Sequence, residues 1–251
     1  MKTFTLFLFL MAGTNSCNID CIQGSNQVTT REFELGHVHA VELASSFDIV
    51  IVQSETDRQR IWAKGSENMM DHLDLEVSGG FLQAKLRPGC FFNYSLVLFV
   101  EVPYLSRVSV SGSGDIAVGG FNAPIELGQE DLSFSREIQV RVNGSGDITF
   151  KDIEGVEVFE VIINGSGDVD FSGPISEANL LSVTINGSGD VDARAVPSRR
   201  VKAGIFGSGD VQAHALERLD VEIYGSGDVV YLGDPEAVQT ATEGSGSVRR
   251  L

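Results

Sequence analysis

The chain has 251 residues, 42% of them hydrophobic, and a net charge of −17. That acidity argues against nucleic acid as a partner and against electrostatic docking on anionic lipid, since both need a positive face. Three cysteines without a CxxC pair or a His/Cys cluster argue against a metal centre.

Residues 1–16 read as a signal peptide. Lys2 gives the positive start, and 4–12 form an apolar run too short to span a bilayer. Small and polar residues 13–16 precede Cys17, which resembles the acylated cysteine of a bacterial lipoprotein. Ordinary signal cleavage and no export remain alternatives. Removal of 1–16 takes away only Lys2 and leaves −18. Residues 17–27 form an N-terminal tether. With Cys17 lipidated, Cys21 and Cys90 are an even pair, suited to a disulfide in an oxidising compartment; two free thiols are the alternative.

Residues 28–107 read as degenerate coils of the domain that fills 28–251. His37 and His39 fall on one face of an expected strand but lack a third metal ligand; His72 and His214 are isolated. Val41, Leu43, Phe47, Ile49 and Ile51 are spaced like a first coil, with Ser45-Ser46-Phe47-Asp48 at its bend. Leu73, Leu75, Val77 and Phe81 alternate around Gly79-Gly80, a turn signal. Leu96, Leu98 and Val100 give a further strand, ended at Val102-Pro103.

From 108 to 251 the chain is a repeat. Gly-Ser-Gly-Asp begins at Gly112, Gly144, Gly165, Gly187, Gly207 and Gly225, and Gly244-Ser-Gly-Ser247 is an altered seventh copy. The spacings are 32, 21, 22, 20, 18 and 19 residues. Two residues before the copies stand Val110, Val142, Ile163, Ile185, Ile205, Ile223 and Thr242, and just after them Ile116, Ile148, Val169, Val191, Val211, Val229 and Val248. Apolar residues at period two on both sides predict strand, bend, strand. A period near 20 marks units that bury their apolar faces by stacking. The expected fold is all-β: a single-stranded, right-handed parallel β-helix with coils of about 20 residues. The motif glycines are expected to supply backbone angles that a Cβ forbids. Asp115, Asp147, Asp168, Asp190, Asp210 and Asp228 are each expected to bond the backbone of their own bend. Asn143, Asn164 and Asn186 are expected to form an amide ladder. Phe206 and Tyr224 follow in the same column as an aromatic step, a binding patch if it faces outward and cross-coil packing otherwise. Helix is confined to a short turn at most, at 175–182 and 214–219. Arg249 and Arg250 are expected to protect the last coil from pairing with another chain.

The tether from Cys17, Val28-Thr-Thr-Arg-Glu32, the 41–52 strand pair, Val77-Ser-Gly-Gly-Phe-Leu82 and the repeated Gly-Ser-Gly-Asp together resemble the head GIN domain family of auto-transporter adhesins. The resemblance covers about 30–251. It implies an exported bacterial envelope protein, often a lipoprotein, with a β-helix body, and it carries no catalytic residues. An outer-membrane lipoprotein facing the periplasm or the surface is the localisation expected, with the lipid as its only membrane contact.

The chemistry weighs against an enzyme. Six equivalent aspartates make poor candidates for an acid–base pair, which needs separated pKa values beside a basic or phenolic residue. A calcium ladder is the functional alternative for that column, yet the calcium-binding nonapeptide pattern is absent. No cofactor, catalytic residue or metal ligand is implied. The expected function is a non-enzymatic adhesin or binding scaffold for a protein or glycan. A structural envelope role, homo-oligomers included, is the first alternative, and a carbohydrate-active β-helix enzyme the second.

Overall fold

A computed structural model describes residues 21–56, 58–122 and 136–251. Among them the chain is all-β, with one 3-10 turn at Glu67–Asp71 and no α-helix. The signal peptide and Cys17 lie outside the described residues.

The amino-terminal strands are β1 (Ile22–Gln23), β2 (Val28–Phe33), β3 (Ala40–Leu43), β4 (Asp48–Gln53), β5 (Arg60–Ser66), β6 (Leu73–Ser78), β7 (Phe81–Leu86), β8 (Phe91–Phe92) and β9 (Leu96–Val102). The strands that follow are β10 (Arg107–Val110), β11 (Ile116–Asn122), β12 (Glu137–Val142), β13 (Ile148–Glu154), β14 (Val158–Ile163), β15 (Val169–Ile175) and β16 (Ala178–Ile185). The chain closes with β17 (Val191–Ile205), β18 (Val211–Ile223), β19 (Val229–Leu232), β20 (Ala237–Thr242) and β21 (Val248–Arg250). Nineteen of these strands join one mixed sheet, and β1 pairs separately with β8.

In the repeats, strands before the motif pair in parallel with their counterparts one repeat on, and strands after the motif do the same. Val142, Ile163, Ile185, Ile205 and Ile223 therefore stand in one register column. All five are fully buried, each stabilising the fold by roughly 1.5–3 kcal/mol. Behind the bend, Phe150 stacks on Phe171 with centroids 4.9 Å apart, and Phe159 meets both edge-on. Of the segments assigned at most a helical turn from sequence, 175–182 runs from the end of β15 through a short connection into β16, and 214–219 lies in β18. Parallel neighbours on both sides satisfy their backbone groups and override weak local propensity.

Residues 28–107 depart from the expected run of coils. Only β3 and β4 follow the repeat pattern, pairing in parallel with β10 and β11. On their other side β3 and β4 pair in parallel with β7 and β9, and beyond these β2–β5, β5–β9 and β6–β7 are antiparallel. For β6–β7 the cause is the connection. Gly79 and Gly80, at φ +58° and +79°, close a two-residue hairpin, which can join only antiparallel strands. No Gly-Ser-Gly bend occurs in this region to carry the chain forward instead. His37 and His39 lie ahead of β3 and not within a strand. The His39 ring stacks on Tyr104 at 5.6 Å, and His37 Nε2 is 3.0 Å from the Tyr104 hydroxyl.

The glycines serve a purpose different from the expected one. Of the motif glycines only Gly244 has a left-handed φ, +152°. The others are kept small by the bend beneath. A Cβ on Gly165 would lie 2.0 Å from the Gly144 carbonyl oxygen, and one on Gly167 would lie 2.1 Å from that of Gly146. Each later bend rests its Cα on the carbonyl of the earlier one, and Ser166 N–H donates to the same Gly144 oxygen at 3.0 Å. The demand runs in one direction. Ser45 and Phe47 hold the two glycine positions in the first unit, where no earlier Gly-Ser-Gly bend lies beneath them, and Phe47 is buried in the core.

Candidate functional site

The aspartate column is a ladder between repeats and not a set of self-contained caps. Asp115 N–H donates to Asp48 Oδ1 at 3.1 Å, and Asp147 N–H to Asp115 Oδ1 at 2.9 Å. The pattern continues through Asp168, Asp190, Asp210 and Asp228 at 2.7–2.8 Å. Each carboxylate thus accepts from the next bend, since a parallel stack brings that N–H nearer than any in its own bend. The altered seventh copy follows directly. Ser247 donates both its N–H, at 2.7 Å, and its hydroxyl, at 3.0 Å, to Asp228. No later bend among the described residues calls for an acceptor there. The first unit keeps Asp48 and lacks glycine; the last keeps glycine and lacks Asp.

Beside this column, Asn164 Nδ2 donates to Asn143 Oδ1 and Asn186 Nδ2 to Asn164 Oδ1, both at 2.7 Å. The next two members are Phe206 and Tyr224. Their rings are 5.3 Å apart and 7° from parallel, yet they are 49% and 47% exposed. They stack on each other and also face solvent, so packing across the bends and outward exposure coexist. The inner ring faces cover each other, leaving edges and outer faces for a partner.

Sequence reasoning missed the polar surface next to them. Columns five and seven residues before the motif bring Lys202 beside Asp220 and Arg200 beside Arg218. Arg218 Nε donates to Asp220 Oδ2 at 2.8 Å; its Nη2 lies 2.7 Å from Asp220 Oδ1 as an ion pair without a hydrogen bond and donates to Gln239 Oε1 at 2.7 Å. The hydrogen bond from Arg218 holds the Asp220 carboxyl below the usual range, aided by the charges of Arg200 and Lys202. These columns carry no residue type that recurs through the repeats, so the repeat pattern does not single them out; the register brings them together. On the other side of the bend, Asp170 and Asp192 are register neighbours. Burial raises the Asp170 carboxyl, while the Arg194 hydrogen bond lowers that of Asp192.

Cys21 and Cys90 are disulfide-bonded with Cα atoms 4.5 Å apart, next to the β1–β8 pair, which fastens the tether to the 87–95 segment. Among the described residues, no group of three or more His, Cys, Asp or Glu is placed to hold a metal ion, and no helix is long and apolar enough to cross a membrane.

A family model described as "Putative auto-transporter adhesin, head GIN domain" matches residues 37–235. No curated protein matches the chain in sequence. Among solved structures, a "putative adhesin" of Bacteroides fragilis NCTC 9343 has a TM-score of 0.77 at 19% identity, over 92% of this chain and 100% of that one. A "putative adhesin" of Parabacteroides merdae ATCC 43184 has a TM-score of 0.64 at 21% identity, over 92% and 99%. A "putative lipid binding protein" of Parabacteroides distasonis ATCC 8503 scores 0.63 at 21% identity, with the same coverage. Identities this low establish a shared fold and nothing finer.

Proposed function

The chain belongs to the head GIN domain family, and from that premise we propose that it is a non-enzymatic, cell-envelope binding scaffold, an adhesin. Its body is a single-stranded, right-handed parallel β-helix, a reading supported by the parallel registers that recur every 18–22 residues from Val142 to Ile223. A lipid on Cys17 anchors it in the outer membrane, and the partner is a protein or glycan.

The observation that carries this reading is the exposed Phe206–Tyr224 stack. Aromatic side chains half open to water on a rigid surface are a common basis for recognition. The remainder of the bend is committed to holding the stack together through its Asp and Asn ladders. Glycan-array and pull-down binding by the mature chain from residue 18 tests it. Wild type is expected to retain a ligand and Phe206→Ser/Tyr224→Ser to lose it. Equal binding by both would remove the aromatic pair from the reading.

One observation favours the structural alternative. Strands β20 and β21 pair with β18 and β19 respectively, and among the described residues their other edge is free for a second copy. Concentration-dependent sedimentation of the mature chain, abolished by proline at Thr240, whose N–H faces that edge, would support assembly over adhesion.

A further inference from the structure

The tether is fixed to the body at several points. The Cys21–Cys90 bond holds its first described residue. Ile22 N–H donates to the Cys90 carbonyl at 2.7 Å, and Gly24 N–H to that of Phe92 at 3.1 Å. Gly24 packs so closely that a Cβ there would lie 2.5 Å from Tyr94 Cα. Tyr94 in turn reaches the first bend, its hydroxyl 2.9 Å from Ser46 Oγ. Cys17 stands four residues before Cys21. Four residues span at most about 14 Å, so a lipid on Cys17 keeps the bilayer within that reach of Cys21.

The surface at this end is apolar. In β8 successive side chains point to opposite sides. Phe91 takes the inner side, its ring 5.0 Å from that of His72, and Phe92 is turned out, 47% exposed. Val28, at the start of β2, is 57% exposed. It pairs with Ser66, whose N–H donates to the Ser95 carbonyl, so both side chains belong to the surroundings of the 90–95 segment. The charge pattern agrees. Residues 21–31 and 77–100 contain no Asp or Glu, on a chain that has 35. In the adjoining Glu67–Asp71 turn, Asp71 is paired with Arg31 at 3.0 Å, and Glu67 is the other carboxylate. An end cleared of carboxylates suits a bilayer with a negative surface potential, and exposed aromatic and aliphatic side chains suit its interface.

The tether also decides the occupant. Two apolar side chains bind a free bilayer weakly, since such binding scales with buried apolar area. Held within reach of the bilayer, they meet it as an intramolecular event, at an effective concentration that favours it over a diffusing protein or a second copy. We propose that the face bearing Phe92 and Val28 inserts into the interface of the bilayer that holds the lipid of Cys17. The proposal rests on the lipid-anchor reading and adds an orientation to it. The first coil faces the membrane, and Tyr224, six parallel pairings further along the stack, stands roughly 29 Å beyond that coil.

Fluorescence quenching of the lipidated mature chain in phosphatidylcholine vesicles, with and without brominated acyl chains, tests it. The single tryptophan is first removed by Trp62→Phe, which keeps an aromatic ring on Phe99, so that one new tryptophan reports at a time. Phe92→Trp and Val28→Trp, both at exposed positions, should be quenched by the brominated lipid at least fivefold more than Tyr224→Trp. Equal quenching at 92 and 224 overturns the proposal. So does emission at 92 that is shielded alike with and without vesicles, since a second copy would then cover the face. Flotation with the vesicles separates the two readings. A chain that floats but is not quenched at 28 or 92 keeps its anchor and loses only this inference. A chain that does not float, and behaves like its Cys17→Ser form, loses the anchor and this inference together.

Discussion

At the scale of single residues, the repeat motif divides its labour by direction along the stack. Glycine answers to the bend before it and aspartate to the bend after it. Gly167→Ala should therefore cost about 3 kcal/mol, near the upper range for an overpacked site, because the new methyl meets the Gly146 carbonyl. Asp168→Asn should cost well under 1 kcal/mol, because an amide oxygen still accepts from Asp190 N–H. Urea midpoints check both, and an alanine tolerated at 167 would contradict the close-contact account. The same bookkeeping bears on calcium. Since each Oδ1 in the column is taken by a backbone N–H, melting temperature should be equal in chelator and in millimolar Ca²⁺. A site filled a hundredfold over its Kd would add about 2.7 kcal/mol, a rise that differential scanning fluorimetry detects. Acid should act through the arginine pairs. Asp192 and Asp220 have depressed carboxyls. Their contribution is present above the ordinary carboxylate value of about 3.9 and is lost as pH falls through the depressed one. Asp170 runs oppositely: its raised carboxyl costs stability as pH rises past its ordinary value. Removing the guanidinium that lowers Asp220 should flatten acid sensitivity, so Arg218→Ala should lose less stability than wild type between pH 5 and pH 3. An unchanged difference in urea midpoints would exclude the Asp220 pair as its source.

At the scale of elements, the bends fix the direction of the strands. Gly-Ser-Gly-Asp carries the chain onward along the same path, and its strands meet their successors in parallel. Gly79-Gly80 folds the chain back, and β6 meets β7 antiparallel. The short pair β1–β8 has only two residues on each strand, too few to hold the tether unaided. Its persistence is assigned to the Cys21–Cys90 bond. Across 69 residues of separation, loss of that bond should cost up to about 4 kcal/mol in the chain-entropy account. Cys21→Ser/Cys90→Ser should accordingly raise amide exchange first in 21–28 and 90–95, while the β16–β17–β18 amides stay protected. Uniform loss of protection would show that the bond supports the whole sheet.

At the scale of the whole molecule, one core runs from Val38 to Val229 without a globular centre, because every repeat buries its apolar column on its neighbours. Its outside differs from side to side. Aspartates occupy one column, asparagines and then aromatics another, and Arg200, Lys202, Arg218 and Asp220 form a charged cluster in further outward columns. An anchor at the tether end would hold that surface at a fixed distance from the bilayer. Wild type should therefore partition into the detergent phase and Cys17→Ser into water; identical behaviour would show that Cys17 carries no lipid.

The sequence by itself determined the inward half of this protein. Val142, Ile163, Ile185, Ile205 and Ile223 recur at a period near 20, and burial makes such a column legible, since an apolar residue in a β pattern has only one favourable side to face. It also determined the Asn ladder, because like residues at like positions in a parallel stack must adjoin. Direction and approach were decided by tertiary structure. Whether a glycine serves its own φ or the carbonyl beneath it, and whether an aspartate caps its own bend or the next, depends on distances between chain segments about 20 residues apart. No local pattern encodes those distances. Of the antiparallel strands of 28–107, only β6–β7 had a local sign, the turn at Gly79-Gly80; elsewhere alternation marks a strand but says nothing about its partner. The cluster of Arg200, Lys202, Arg218 and Asp220 exists only because outward columns, each without a pattern of its own, are brought together by the register of the sheet.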